Sequence, residues 1–338
     1  MVVFCATREK LMLKIGDHTL KHGLVMAPLS GITNILFRLY AKRLGAELVF
    51  TEMVSSNGLV RRQKRTLRYI RIAEEERPVA VQIFGSDPST MAEAARMVEE
   101  AGADILDINM GCPVKKVVRT GAGAGLLRNL SLARKIIQGV RKAVNLPVTV
   151  KTRPGWSKDE MALKELVSDL EEMGVEAIWV HGRFAKEGFA GDVRWDILKE
   201  IQSYTHIPII PNGSILTAKQ AVELKHQGWE ALMIGRGFLR DPNIFLKTKA
   251  LLEQRELEQR EETIPKKTAI LEAIQWAINT SSGYLQGEEI ARFMRSTLLR
   301  AVKGFEGAKE FRRSLLAEKS QDPRALFKML MEAIFYED

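Results

Sequence analysis

The feature that most constrains the fold is a repeated alternation of short apolar runs with amphipathic stretches. Eight runs rich in aliphatic and β-branched residues lie at 24–28, 48–53, 79–85, 105–111, 147–153, 177–183, 207–213 and 231–237. Nearly unbroken apolar character over such lengths fits parallel strands covered on both faces. The stretches between them carry helix start signals. "SDPSTMAEAARMVEEAG" (86–102) offers Ser86 or Asp87 as cap, Pro88 in the first turn and glycine at the end. Ser131 and Thr217 are the expected caps of the next clear examples, 129–144 and 216–228. Eight alternations favour a closed (β/α)8 barrel over an open doubly wound sheet. The segment before the first run should form a hairpin turning at Gly16-Asp17 and plugging the barrel bottom.

After about residue 243 the alternation stops. Helical segments follow at 266–283, 287–304, 311–320 and 323–337, preceded by the charged helical stretch 251–262. The expected organisation is an α/β domain over 1–245, a TIM barrel, followed by an all-helical domain over 246–338. Only two cysteines, Cys5 and Cys112, occur, far apart. That is neither a disulfide framework nor a zinc cluster, and it points to a reducing cytoplasm. The N-terminus reaches charge before an apolar signal-type stretch develops, and no run approaches the roughly 20 apolar residues of a membrane span. No membrane anchor is expected.

The net charge is +9. Its distribution says more than its size. No acidic residue occurs from Pro113 to Arg153, a stretch holding Lys115, Lys116, Arg119 and seven further cations. "RRQKRTLRYIR" (61–71) is purely basic, and 292–328 is basic on balance. Any one such block is ordinarily a solvated helix face. Three flanking one candidate site suggest a phosphate-bearing macromolecule.

In a barrel of this kind the chemistry sits at the carboxyl ends of the strands. Here those ends carry Pro28, Leu29 and Ser30; Glu52; Gln82; Asn109 and Cys112; Lys151 and Arg153; His181 and Arg183; Asn212 and Gly213; Gly235 and Arg236. "PNGSI" and "IGRGF" place glycine amides where barrels often hold a phosphate, though two ordinary turns would read the same way. "GAGAGLL" (121–127) has the wrong spacing and context for a dinucleotide fingerprint, and its small residues suggest a mobile lid. Cys112 has three readings: a buried structural thiol, a nucleophile, or a proton donor to a forming carbanion. Lys151 at a strand end suggests an electron-rich or anionic ligand, unless it snorkels to solvent. Gln82 can donate to and accept from a heterocycle, and His181 gains weight beside Lys151 and Cys112.

The segments 26–38, 51–59, 81–85, "DINMGCPVKKV" (107–117), "VKTRPGW" (150–156), "VHGRFAKEGFAG" (180–191), 207–215 and 234–245 together resemble the flavin-dependent dihydrouridine synthases, in that family's order. The B-type bacterial branch is the most similar. The resemblance implies FMN in the barrel mouth, NADPH as reductant, and reduction of the C5–C6 double bond of uridine in folded RNA. Transfer RNA is the implied partner and ribosomal RNA the other candidate; a monomer is expected. Carried over by motif, Pro28, Leu29, Ser30, Gln82, Lys151 and His181 would contact the flavin. Asn212, Gly213, Ser214, Gly235 and Arg236 would hold its phosphate. Cys112 would be the proton donor, Asn109 would position the uracil, and Lys115, Lys116, Arg119 and Arg183 would meet the RNA.

Three positions depart from the family's common pattern. Ser30 stands where Ala is more frequent, Asn34 where Asp is usual, and Ser214 replaces the Asp of an Asn-Gly-Asp turn. The last removes a carboxylate near the implied phosphate. Two competing functions remain at this level. One is a dihydroorotate dehydrogenase-like flavin enzyme acting on a free pyrimidine, which needs no basic helical tail. The other is a non-catalytic RNA-binding barrel, which needs neither Cys112 nor Lys151.

Overall fold

The computed structural model describes residues 12–253, 266–301, 308–318, 320 and 322–335. Cys5 and most of the charged stretch 251–262 lie outside the described residues. A parallel barrel is built from β3 (Leu24–Met26), β4 (Val49–Phe50), β5 (Val54–Ser55), β6 (Val79–Phe84), β7 (Ile105–Asn109), β8 (Val148–Thr152), β9 (Ala177–His181), β10 (Ile209–Asn212) and β11 (Leu232–Ile234). Neighbours in sequence are neighbours in space, and β11 pairs with β3. A bridge from Val25 to Leu48, with the Met26 amide donating to the Leu48 carbonyl at 2.9 Å, completes the ring.

The second strand is split. β4 and β5 both pair with β6, separated by Thr51-Glu52-Met53. The Thr51 hydroxyl substitutes for a ladder acceptor by receiving the Gln82 amide at 3.1 Å. The interruption lets the buried Glu52 carboxylate accept from the Gly31 amide in the loop after β3.

The barrel interior follows the two-residue alternation of strands. Phe50, Ala80, Ile105, Ala177, Trp179, Ile210, Ala231 and Met233 fill its lower and middle layers. They are joined by Leu13, Ile15 and Leu20 of a hairpin, β1 (Leu13–Ile15) and β2 (His18–Leu20), that closes the bottom as expected. Gly16 in its turn has φ +54, and a Cβ there would lie 2.4 Å from the Pro147 ring. A left-handed, crowded position of this kind admits glycine alone.

Among the caps, Asp87 and Thr217 receive the amides of Thr90 and Gln220 as expected. Ser131 does not cap: the helix begins at Leu130, and Asn129 accepts from the Leu132 amide. Asn34 caps the helix Ile35–Arg43 through the Phe37 amide.

The expected division at residue 245 falls inside the helix Ile244–Leu252, which is tied to the barrel. Phe245 packs on Phe238, and Lys249 pairs with Glu47 at 3.6 Å. Of the later helices, Lys266–Ser281 and Gly287–Ala301 pack on the outer face of Ile35–Arg43, and Ala308–Ala317 and Pro323–Phe335 pack on those two in turn. Leu271, Ile274 and Ala277 share one continuous hydrophobic cluster with Ile35, Leu36 and Phe37. At the rim, Glu289 binds Arg71 (3.0 Å) and Arg68 (3.3 Å), and Tyr284 receives the Glu74 amide. No helix among the described residues is long and apolar enough to cross a membrane.

Candidate active site

The inward positions at the carboxyl ends of the strands converge on one open cavity of about 310 Å³. It brings together Pro28, Leu29 and Ser30 after β3, Gln82 of β6, Asn109 and Cys112 at β7, Lys151 of β8 and His181 of β9. Asn212, Gly213 and Ser214 at β10, with Gly235 and Arg236 at β11, complete the set. The register explains the convergence. Asn109 pairs with Lys151, and Asn212 with His181, so alternation sends all four side chains inward. Lys151 Nζ donates to Asn212 Oδ1 at 3.3 Å, and Asn212 Nδ2 donates to the Met233 carbonyl at 2.7 Å.

The strand ends are shorter than the apolar runs suggest, because side chains take over the backbone donors there. Asn109 Oδ1 accepts the amides of Gly111 (3.2 Å) and Cys112 (3.0 Å), turning the chain off the sheet. The half-buried Cys112 thiol is thereby held at the cavity wall. Desolvation pushes it above the ordinary thiol range; the Val114 amide and the charges of Arg153 and Lys151 oppose that.

"GAGAGLL" is not a lid. Ala124, Leu126 and Leu127 are buried in a tight turn, Gly123–Arg128, packed beneath the Cys112 loop, and Ala122 just before it is buried too. The Ala124 amide donates to the Cys112 carbonyl at 3.0 Å. Gly123 has φ +59, and a Cβ there would sit 2.8 Å from the same carbonyl. Its small residues serve close approach rather than motion.

The cavity is cationic. Lys151, Arg153 and Arg236 line it, and no acidic residue does among the described residues. Desolvation, then Arg153 beside it, lowers Lys151 to about 8. Desolvation followed by the charges of Lys151, Arg153, Arg183 and Arg236 drives His181 far below the ordinary imidazole range, so it is neutral. At Gly213, with φ +127, a Cβ would lie 2.9 Å from the His181 ring, so the glycine turn and the imidazole are in contact.

The four residues assigned to RNA divide. Lys115, Lys116 and Arg119 are exposed, on and just after the helix Lys115–Val118 that follows Cys112. Arg183 is 5% exposed and turned inward, donating to Ser214 Oγ at 2.8 Å and to the Gly191 carbonyl at 2.8 Å. That allies it with the glycine turn, opposite the place where the family's usual aspartate would stand, and not with the outer basic face. The acid-free stretch does not form one patch either. Arg134 pairs with Asp169 at 2.6 Å, and Arg128 stacks over Trp156.

Sequence reasoning placed Arg153 at a strand end without a role and missed Phe189. Arg153 is 1% exposed; its Nε donates to the Gly111 carbonyl, and its Nη1 reaches those of Arg183, Phe184 and Gly188. One guanidinium thus joins the Cys112 loop to the loop after β9. Phe189 on that second loop is 64% exposed at the mouth, between Arg153 and Arg236. Its place in an exposed Gly-flanked loop was readable, its position over the cavity was not.

Comparison with known proteins bears on this geometry. A family model described as "Dihydrouridine synthase (Dus)" matches residues 25–335. The tRNA-dihydrouridine synthase B of Pasteurella multocida is 38% identical over 281 residues, 83% of this chain and 84% of that protein. Its counterpart in Pseudomonas aeruginosa is 40% identical over 236 residues, 69% of this chain and 71% of that protein. Among solved structures, that of TcOYE with pHBA superposes with a TM-score of 0.53 at 11% identity, covering 72% of this chain and 93% of its own. A morphinone reductase mutant in complex with tetrahydroNAD gives 0.52 at 14%, covering 70% and 89%. At such identities the two structures speak to the barrel fold alone. The family model and the relatives reach further: the chain belongs to the dihydrouridine synthase family.

Proposed function

We propose that this chain reduces uridine in tRNA to 5,6-dihydrouridine, holding FMN in the barrel mouth and drawing on NADPH. The observation that carries the proposal is the composition of a single cavity. A half-buried thiol kept protonated, a neutral imidazole and a desolvated ammonium face a space without carboxylates, in a chain of this family. The donor set suits the cofactor. Lys151 and Gln82 offer donors to an electron-rich heterocycle, while Arg236, Arg183 and the glycine turn at Gly213-Ser214 suit its phosphate.

When bound, the flavin held by these residues would supply the hydride needed at C6 of the uracil, with NADPH as the source of its reducing equivalents. Negative charge then develops on C5 and the C4 carbonyl of the base. The Cys112 Sγ gives its proton to C5, and solvent returns one to the thiolate. Raising the thiol by desolvation favours the protonated form this step needs. Lys151, facing the cavity, would stabilise the developing charge, and Asn109 would act through the Cys112 loop that its oxygen holds. The base must leave the RNA stack to reach this depth. Lys115, Lys116 and Arg119 are exposed beside the mouth to hold phosphates while it does.

The test uses purified Cys112→Ala protein on tRNA from cells lacking the gene. The variant is expected to keep its flavin and to form no dihydrouridine; wild-type yields would remove the thiol from the mechanism. Mapping dihydrouridine in tRNA and ribosomal RNA from cells with and without the gene identifies the RNA. No change in either would favour the free pyrimidine substrate.

A further inference from the structure

We propose that Asp107, buried inside the barrel and outside the cavity, is a positioning residue that sets the direction of a hydrogen-bond chain ending on the Cys112 loop. The chain runs through four links. Thr149 Oγ1 donates to Asp107 Oδ1 at 2.6 Å. Gln82 Nε2 donates to Asp107 Oδ2 at 2.7 Å. Asn109 Nδ2 donates to Gln82 Oε1 at 2.8 Å. The Gly111 and Cys112 amides then donate to Asn109 Oδ1. All four side chains project inward from three neighbouring strands, Gln82 and Asp107 being register partners across β6 and β7, and Asp107 and Thr149 across β7 and β8.

The direction matters because an amide has a donor end and an acceptor end. Two backbone N–H groups can be received only if Asn109 presents its oxygen to the loop. Its nitrogen must then find the oxygen of Gln82, and the nitrogen of Gln82 must find an acceptor. A carboxylate, which only accepts, closes the sequence. An apolar side chain would leave the Gln82 nitrogen unpaired in the interior, and an inverted Gln82 would force Asn109 to meet the loop donor to donor. Burial raises the Asp107 carboxyl to about 7. Either protonation state serves, since a proton on Oδ1 is received by Thr149, whose hydroxyl works both ways. The same reasoning makes asparagine an adequate substitute, with its oxygen toward Gln82 and its nitrogen toward Thr149.

The inference rests on Cys112 being the group that the loop presents, but its test does not need Cys112 to be the proton donor. In a Cys5→Ser background, alkylation of the remaining thiol by iodoacetamide is followed against pH in folded protein, with kcat and KM on tRNA measured in parallel. Asp107→Leu is expected to speed alkylation about ten-fold near neutral pH and shift its midpoint down towards the ordinary thiol value, because an unpinned loop loses its burial. It should lower kcat about ten-fold with KM for tRNA within about two-fold. Asp107→Asn should keep the wild-type alkylation profile. Where Asp107→Leu yields no folded protein, the smaller Asp107→Val reads the same point, since it too leaves the Gln82 nitrogen without its acceptor; faster alkylation supports the proposal. A wild-type profile in Asp107→Leu or in Asp107→Val overturns it, as does an Asp107→Asn protein as perturbed as Asp107→Leu. Loss of activity in Cys112→Ala tests the other claim separately.

Discussion

Cys112 and Lys151 share a cavity wall but are shifted by burial in opposite senses, and the pH dependence of the reaction should separate them. A proton donor must be protonated, so activity persists below its pKa and declines above it. Desolvation raises Cys112, which moves its decline to higher pH than an ordinary thiol gives. Desolvation lowers Lys151 to about 8, so its charge is lost first as pH rises. Single-turnover reduction of tRNA should therefore be level from about pH 6 to about pH 8 and fall above that. In Lys151→Met the plateau should be lower by about 10²-fold and the limb near 8 gone. An unchanged limb in that variant would assign it to another group. These residues were legible because each is a polar group at the end of an apolar run. Arg153 was legible only as a strand-end cation, and Asp107 not at all. Arg153 reads as one more basic residue until its four carbonyl partners are seen. Asp107 sits mid-strand in "ILDINMG", where only its inward register pairs it with Gln82 and Thr149.

The Cys112 loop and the turn beneath it behave as one element. Gly123 has φ +59, and a Cβ there would sit 2.8 Å from the Cys112 carbonyl and 2.9 Å from Val117. Gly123→Ala must therefore adopt a strained backbone and displace the loop, at a cost of about 1–3 kcal/mol. Its effects should be a lower Tm and a fall in activity, whereas Gly125→Ala, with no contact closer than 3.3 Å and no positive φ, should cost less in both. Equal effects at the two glycines would mean the turn is not shaped around Cys112. Composition alone suggested the opposite role, because closely spaced small residues suit both a mobile lid and a tightly packed turn. What separates the two is the burial of the interleaved Ala122, Ala124 and Leu126. The barrel itself was readable since buried parallel strands leave an unmistakable apolar pattern. The split after Phe50 was not, as Thr51 substitutes a hydroxyl for a backbone group, which no periodicity reports.

At the scale of the molecule, the barrel and the helical unit are joined through the helix Ile35–Arg43, with apolar contact at the centre and ion pairs at the rim. That joint changes which basic residues are available to RNA. The block 61–71 looks uniformly cationic in sequence, yet Arg68 and Arg71 both face Glu289, more than two hundred positions away, a pairing that no local pattern discloses. Lys115, Lys116 and Arg119 are exposed beside the cavity mouth, and no carboxylate among the described residues pairs with them. Each phosphate neutralised releases condensed counterions, so the slope of log K against log salt counts such contacts at about 0.9 apiece on duplex and about 0.7 on single strands. Titrating tRNA binding against salt should show a steep slope that each of Lys115→Ala, Lys116→Ala and Arg119→Ala reduces by about that amount. Arg68→Ala should reduce the slope by less than any of these, because Arg68 and Arg71 share the single negative charge of Glu289 within the protein. A slope that responds to Arg68 and ignores Lys115 and Lys116 would move the RNA track from the Cys112 side of the mouth to the joint between barrel and helices.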